Sequence, residues 1–184
     1  MRFMAEWIGA GRAAGLFSLQ AIPRMDLLIL LIMAVTLNKT LTVKSPAFPH
    51  NSAIPAKYTC EGDNINPELQ LGDIPEEAKA LALIVEDPDA PQGTFDHWIM
   101  WNIPVADKIQ ENSAPGTQGQ NGRNENKYYG PCPPGGTHHY HFKVYALDEK
   151  LDLPASANKQ QLLDAMDGHT LAMGELVGLY SKKS

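Results

Sequence analysis

From Leu41 onward, short apolar runs alternate with clusters of Pro, Gly and Asn, which predicts a mainly β protein with a little helix. Leu41-Thr42-Val43 predicts a first short strand, closed by Pro46 and Pro49, neither of which can donate to a ladder. Ala80 to Glu86 is a continuous apolar run of strand length, so it is expected in the middle of a sheet covered on both faces. His97 to Ile103, rich in aromatic and branched residues, predicts another strand. In His138 to Leu147 the pattern alternates. His138, Tyr140, Phe142, Val144 and Ala146 share one face, while His139, His141 and Lys143 turn the other way, toward solvent.

Asn158 with Gln161 three residues on predicts a helix start. Leu162, Leu163 and Met166 supply its apolar stripe, Gly168 its stop, and the helix is expected to end at Asp167. Leu171 to Tyr180 fits either a strand or a helix by pattern alone. No internal repeat is found. Asn112 to Thr137 is a long stretch dense in Gly, Asn and Pro, and loops of that length in a compact domain tend to be functional. Its Pro-rich end at 131–134 is expected to line a site, whereas Gln118 to Asn126 reads better as a surface excursion.

The candidate chemistry gathers around Asp87-Pro88-Asp89-Ala90-Pro91, His97-Trp98 and Pro133-Pro134-Gly135-Gly136-Thr137-His138-His139-Tyr140. Pro88 and Pro91 fix φ and remove two donors, so the turn carrying both carboxylates should be stiff. A carboxylate cannot attract an anion directly. Its useful role is to accept a proton from a neighbouring imidazole, which sets that ring's tautomer and favours its charged form. Asp87 is expected to do this for His97 or for His138. The imidazoles, the Tyr140 hydroxyl and the Gly135-Gly136 backbone N–H groups would then meet the oxygens of an anion. Pro133, Pro134 and Trp98 or Trp101 would wall the pocket, although both tryptophans equally suit an ordinary core. Asp89 suits a turn cap bonded to backbone N–H groups.

These motifs, together with Asn102-Ile103-Pro104 and the Gly130-Pro131-Cys132-Pro133-Pro134 loop leading into His138-x-Tyr140-x-Phe142, resemble the phosphatidylethanolamine-binding proteins, in particular the bacterial Raf kinase inhibitor-like branch. The resemblance runs from Leu41 to about Tyr180. It implies a mainly β fold of antiparallel sheets with Greek-key connections, few short helices, a final strand at Leu171 to Tyr180, and an anion pocket at one edge. It carries the family's phosphate or lipid head-group site onto Asp87, His97, Pro133, Pro134, His138 and Tyr140, with Asp89 and Trp98 beside them. It implies neither a cofactor nor a metal, and a binding role rather than catalysis. Relatives that inhibit kinases or serine proteases suggest a protein partner, and bacterial relatives that self-associate suggest a homodimer. Eukaryotic members add a C-terminal helix that this chain does not have room for, so a more open pocket is expected.

Two readings compete with a binding module. The Asp and His cluster has the ligand types for a metal-dependent phosphoester hydrolase, although its spacing matches no dedicated metal motif. No Gly-x-Ser-x-Gly or comparable nucleophile motif is present. A net charge of −6 argues against nucleic acid or an anionic bilayer surface as a general partner.

Cys60 and Cys132 match no zinc spacing and each sits beside a turn flanking the site. They suit a disulfide in an exported protein, free thiols in a reducing cytosol, or simple packing. Leu27 to Leu37 is an apolar run too short to span a membrane but of the length of a signal-peptide core. Asp26 stands where a positive flank belongs and no small-x-small site follows, which weighs toward the cytoplasm over the periplasm. Met25 and Met33 are alternative starts. Residues 1–37 are thus read as an extension and 38–184 as one domain.

Overall fold

The computed structural model describes residues 39–182. The expectations for residues 1–37 fall outside that range. Among the described residues, ten strands and one α-helix follow in order: β1 (Lys39–Thr40), β2 (Thr42–Lys44), β3 (Ser52–Ala53), β4 (Leu69–Gly72), β5 (Ala80–Asp87), β6 (Phe95–Ile103), β7 (Lys108–Ile109), β8 (Thr117–Gln118), β9 (Thr137–Leu147), α1 (Lys159–Met166) and β10 (Thr170–Ser181). The protein is mainly β, as the pattern predicts.

A seven-stranded sheet runs β1-β10-β9-β5-β6-β8, with β3 also pairing β10, and a three-stranded sheet runs β2-β4-β7. Not every pair is antiparallel: β1 and β3 both run parallel to β10, so the large sheet is mixed. β5 lies between β9 and β6 with both faces covered, the outcome expected of an uninterrupted apolar run. One face, carrying Leu81, Leu83 and Val85, packs with Phe142 and Val144 of β9 and with Leu69 and Leu71 of the small sheet into the main core. The other, carrying Ala82 and Ile84, packs with Ile99 and Trp101 under Leu162 and Met166 of α1.

α1 begins as predicted. The Asn158 side chain accepts from Gln161 N–H while the Gln161 side chain accepts from Asn158 N–H, a reciprocal capping box. Gly168, at φ +80°, then lets the chain leave the helix for β10. β10 resolves the ambiguous segment as a strand, because eleven of its residues find partners along β9. Leu41 lies between β1 and β2 rather than inside one strand, since the chain passes there from the large sheet to the small one.

An irregularity in the β5–β6 pairing positions the site. Val85 opposes Trp98 but Glu86 opposes Asp96, leaving His97 as an extra residue. Such a bulge interrupts strict alternation and re-aims a side chain. His97 therefore shares the main-core side with Trp98, where it meets Tyr140 edge-on at 5.2 Å. Asp96 stays on the opposite face beside Lys159, 2.6 Å away.

Candidate anion-binding cleft

The ends of β5, β6 and β9 bring Asp87, His97 and His138 together at the floor of a cleft of about 450 Å³. Pro133 and Pro134 wall one side and the Ala90–Gly93 turn another. Asp87 is only 3% exposed. One of its oxygens accepts from the Asp89 backbone N–H at 2.9 Å and the other lies 2.7 Å from His138 Nδ1. Of the two expected partners, the carboxylate thus takes His138. The acceptor requirement of an ionised Asp places the His138 proton on Nδ1.

His97 is anchored elsewhere. Its Nδ1 lies 2.6 Å from the Tyr129 carbonyl oxygen, an acceptor only, so this ring also carries hydrogen on Nδ1. Burial holds the His97 imidazole below the ordinary histidine range, against the opposing pull of that carbonyl and of the Asp87 and Asp96 carboxylates. The ring is therefore neutral at neutral pH.

Four candidate residues, Tyr140, Trp98, Trp101 and Asp89, do not line the cleft. Tyr140, two residues further along β9 than His138, is fully buried beneath the floor and supports the His97 ring. Burial pushes its phenol upward, with the Asp87 charge adding to the shift. The Tyr140 hydroxyl makes no well-aligned hydrogen bond, although the Cys132 backbone is close enough to influence its ionisation. Trp98 lies in the main core, its indole N–H donating to Gln118 Oε1 at 2.8 Å and its ring edge-on to Tyr128. Trp101 lies in the second core under α1. Aromatic walls come instead from Phe95 and Tyr129.

Asp89 turns out of the cleft. Its Oδ2 accepts from the His139 backbone N–H at 2.8 Å and contacts His139 Nδ1 at 2.7 Å, which holds its carboxyl below the usual range. The turn cap expected of Asp89 is made by Asp87, which accepts from Asp89 N–H, while Asp89 ties the turn across to β9. His139 is half exposed, as the alternation predicts, whereas His141 is partly covered by its pairing with Glu175. Lys143 likewise reaches Glu86 at 2.5 Å.

Sequence reasoning missed Arg123, which lines the cleft with its guanidinium 4.7 Å from the centre of the Tyr129 ring. It lies in the segment read as a surface excursion. That segment is well anchored: Asn121 Oδ1 accepts from Arg123 N–H and Glu125 N–H, and Gly122 N–H donates to the Asp96 carbonyl. The usable signal is composition, since Arg123 is the sole arginine after Arg24 and arginine is the side chain best shaped for oxyanions.

Cys60 and Cys132 form a disulfide, with Cα atoms 5.5 Å apart, and Cys132 itself lines the cleft. The bridge joins the Pro-rich wall to the turn after a short 3-10 helix at Ala56–Tyr58. Among the described residues, no three His, Cys, Asp or Glu side chains are grouped to hold a metal ion. Nor is any described helix long and apolar enough to cross a membrane.

The comparisons agree with this architecture. The family model for phosphatidylethanolamine-binding protein matches residues 44–181. A UPF0098 protein of Pyrococcus abyssi is 49% identical over 150 residues, covering 76% of this chain and 84% of the relative. One from Chlamydia trachomatis is 46% identical over 145 residues, covering 75% of this chain and 97% of the relative. A phosphatidylethanolamine-binding protein homologue of Chlamydia trachomatis, solved crystallographically, superposes with a TM-score of 0.76 at 42% identity, covering 79% of this chain and 100% of its own. Escherichia coli YbcL, described as a member of the mammalian family, gives 0.72 at 27% identity, covering 78% of this chain and 99% of its own. The chain belongs to the phosphatidylethanolamine-binding protein family.

Proposed function

We propose that this protein is a non-catalytic binding module for phosphate-like anions, including phosphorylated head groups, and that it acts through occupancy of the cleft rather than through chemistry on the ligand. The observation that carries this reading is the buried Asp87–His138 pair at 2.7 Å, set beside His97 beneath a wall that holds Arg123. A carboxylate-held imidazole and a guanidinium are both suited to phosphate oxygens, and Phe95, Tyr129, Pro133 and Pro134 offer apolar surface to whatever the phosphate is attached to.

A regulatory role toward a kinase or protease is the extension of this reading, with a phosphorylated side chain or a head group as competitor for one site.

Calorimetric titration of inorganic phosphate and phosphorylethanolamine into the wild type, His138→Ala and Arg123→Ala tests the reading, with metal content measured on the same samples. Metal-free binding that weakens at least tenfold in each variant is expected. Binding that needs stoichiometric metal would instead favour the hydrolase, and no binding of either anion by the wild type would remove the anion reading.

A further inference from the structure

The two cleft imidazoles are held in the same tautomer by different acceptors. His97 Nδ1 faces the Tyr129 carbonyl at 2.6 Å and His138 Nδ1 faces Asp87 Oδ2 at 2.7 Å, leaving Nε2 as each ring's remaining nitrogen for a ligand. The partners differ in kind. The Asp87 carboxylate only accepts, so it fixes His138 with its hydrogen on Nδ1. A neutral carbonyl supports the uncharged form of His97, whose Nε2 then carries a lone pair and accepts.

Around His97 stand Asp87 on β5, Asp96 and Phe95 on its own strand, His138 and Tyr140 on β9, and Tyr129, Arg123 and the Gly130 backbone from the 112–136 segment. At 4% exposure the ring has little water to satisfy it or to stabilise a charge, and burial outweighs the nearby carboxylates. The cleft therefore presents donors and a buried acceptor together.

We propose that the cleft selects oxyanions that still carry a proton, namely inorganic phosphate and phosphomonoesters in their monoanionic form. His97 Nε2 accepts the hydrogen bond from the ligand's P–O–H, while Arg123 donates to the other oxygens. The proton stays on the ligand and no bond is made or broken. This inference rests on the anion-binding reading and adds a ligand class to it. A fully deprotonated tetrahedral anion such as sulfate sets a lone pair against the buried Nε2, and the unsatisfied pair should weaken binding roughly ten- to hundredfold.

The test is titration of the full chain with inorganic phosphate and with sulfate between pH 5.5 and 8.5, followed by phenyl phosphate and phenylphosphonate, whose second ionisation lies higher. Phosphate is expected to bind at least tenfold tighter than sulfate at pH 6, and affinity should fall as each ligand loses its last proton, with a later midpoint for the phosphonate. In His97→Gln, whose amide can donate or accept, the phosphate-to-sulfate ratio should drop toward one. Equal affinity for phosphate and sulfate, or one pH midpoint shared by both phenyl ligands, would overturn the proton requirement while leaving the anion site standing. Failure of every anion at every pH would remove the anion reading and this inference with it.

Discussion

Replacing both half-cystines, Cys60→Ala with Cys132→Ala, separates what the disulfide does to the unfolded chain from what it does to the cleft. The bridge closes a loop of 72 residues. In the chain-entropy model a loop of that length contributes about 4 kcal/mol, almost all of it by restricting the unfolded ensemble. At this chain size each kcal/mol moves the melting temperature by about 2–4 °C, so a fall of roughly 8–16 °C is expected. The native seam has other fastenings. Cys60 N–H donates to the Pro131 carbonyl at 3.1 Å, Gly130 N–H to Asn64 Oδ1 at 2.7 Å, and the Tyr128 hydroxyl to the Tyr58 carbonyl at 2.9 Å. At a net value of about 1 kcal/mol each, these bonds should keep the Pro133–Pro134 wall in place without the bridge. The double variant should therefore lose stability in urea and thermal unfolding followed by circular dichroism, yet change phosphate affinity by less than about threefold, on the order of 0.6 kcal/mol. An unchanged melting temperature with a tenfold loss of affinity would refute the reasoning, because the bridge would then be acting on the folded cleft.

Asp87→Ala removes the acceptor for both His138 Nδ1 and the Asp89 backbone N–H at a position 3% exposed, and should cost about 3–5 kcal/mol in urea unfolding; a loss under 1 kcal/mol would mean that the pair does not hold the floor together. Because the folded pKa of His97 lies below its unfolded value, the unfolded chain binds more protons, and the stability this ring contributes is complete above about pH 6.5 and lost as pH falls through the folded value. Wild type should therefore lose stability relative to His97→Gln on acidification below that point, by at most about 1.4 kcal/mol per pH unit, and parallel curves would contradict the burial of a neutral ring. A methyl group at Gly122 would meet the Phe95 ring at 2.7 Å, so Gly122→Ala should displace that wall, costing about 1–3 kcal/mol in thermal unfolding and reducing phosphate affinity, whereas wild-type values for both would show that the segment yields freely.

What could be read along single strands was legible; what depends on two segments meeting was not. The uninterrupted run at Ala80 to Glu86 can bury both faces only in the middle of a sheet, and β5 lies there. The even positions of β9 form a buried row because the side-chain period is fixed by the backbone, so His138 at the open end and Tyr140 one step inward share a face. How far that row continues before the cleft begins depends on neighbouring segments, which is why His138 lines the cleft and Tyr140 lies beneath it. The bulge at His97 has no signature in β6 itself, since it exists only as a mismatch in register with β5. Strict alternation would have separated His97 from Trp98, and the extra residue puts both on one side. Strands of two to four residues, such as β3, β4, β7 and β8, are too short to show a period and are defined by their partners. Arg123 is the same problem at longer range. Nothing periodic marks its segment, and its place is set by Asn121 and by the Gly122 bond to Asp96, a residue on the opposite face of β6 from His97. His97 and Arg123, which line the cleft, are thus positioned by a register slip and a pinned loop, so residue type could nominate His97 while only pairing could aim it.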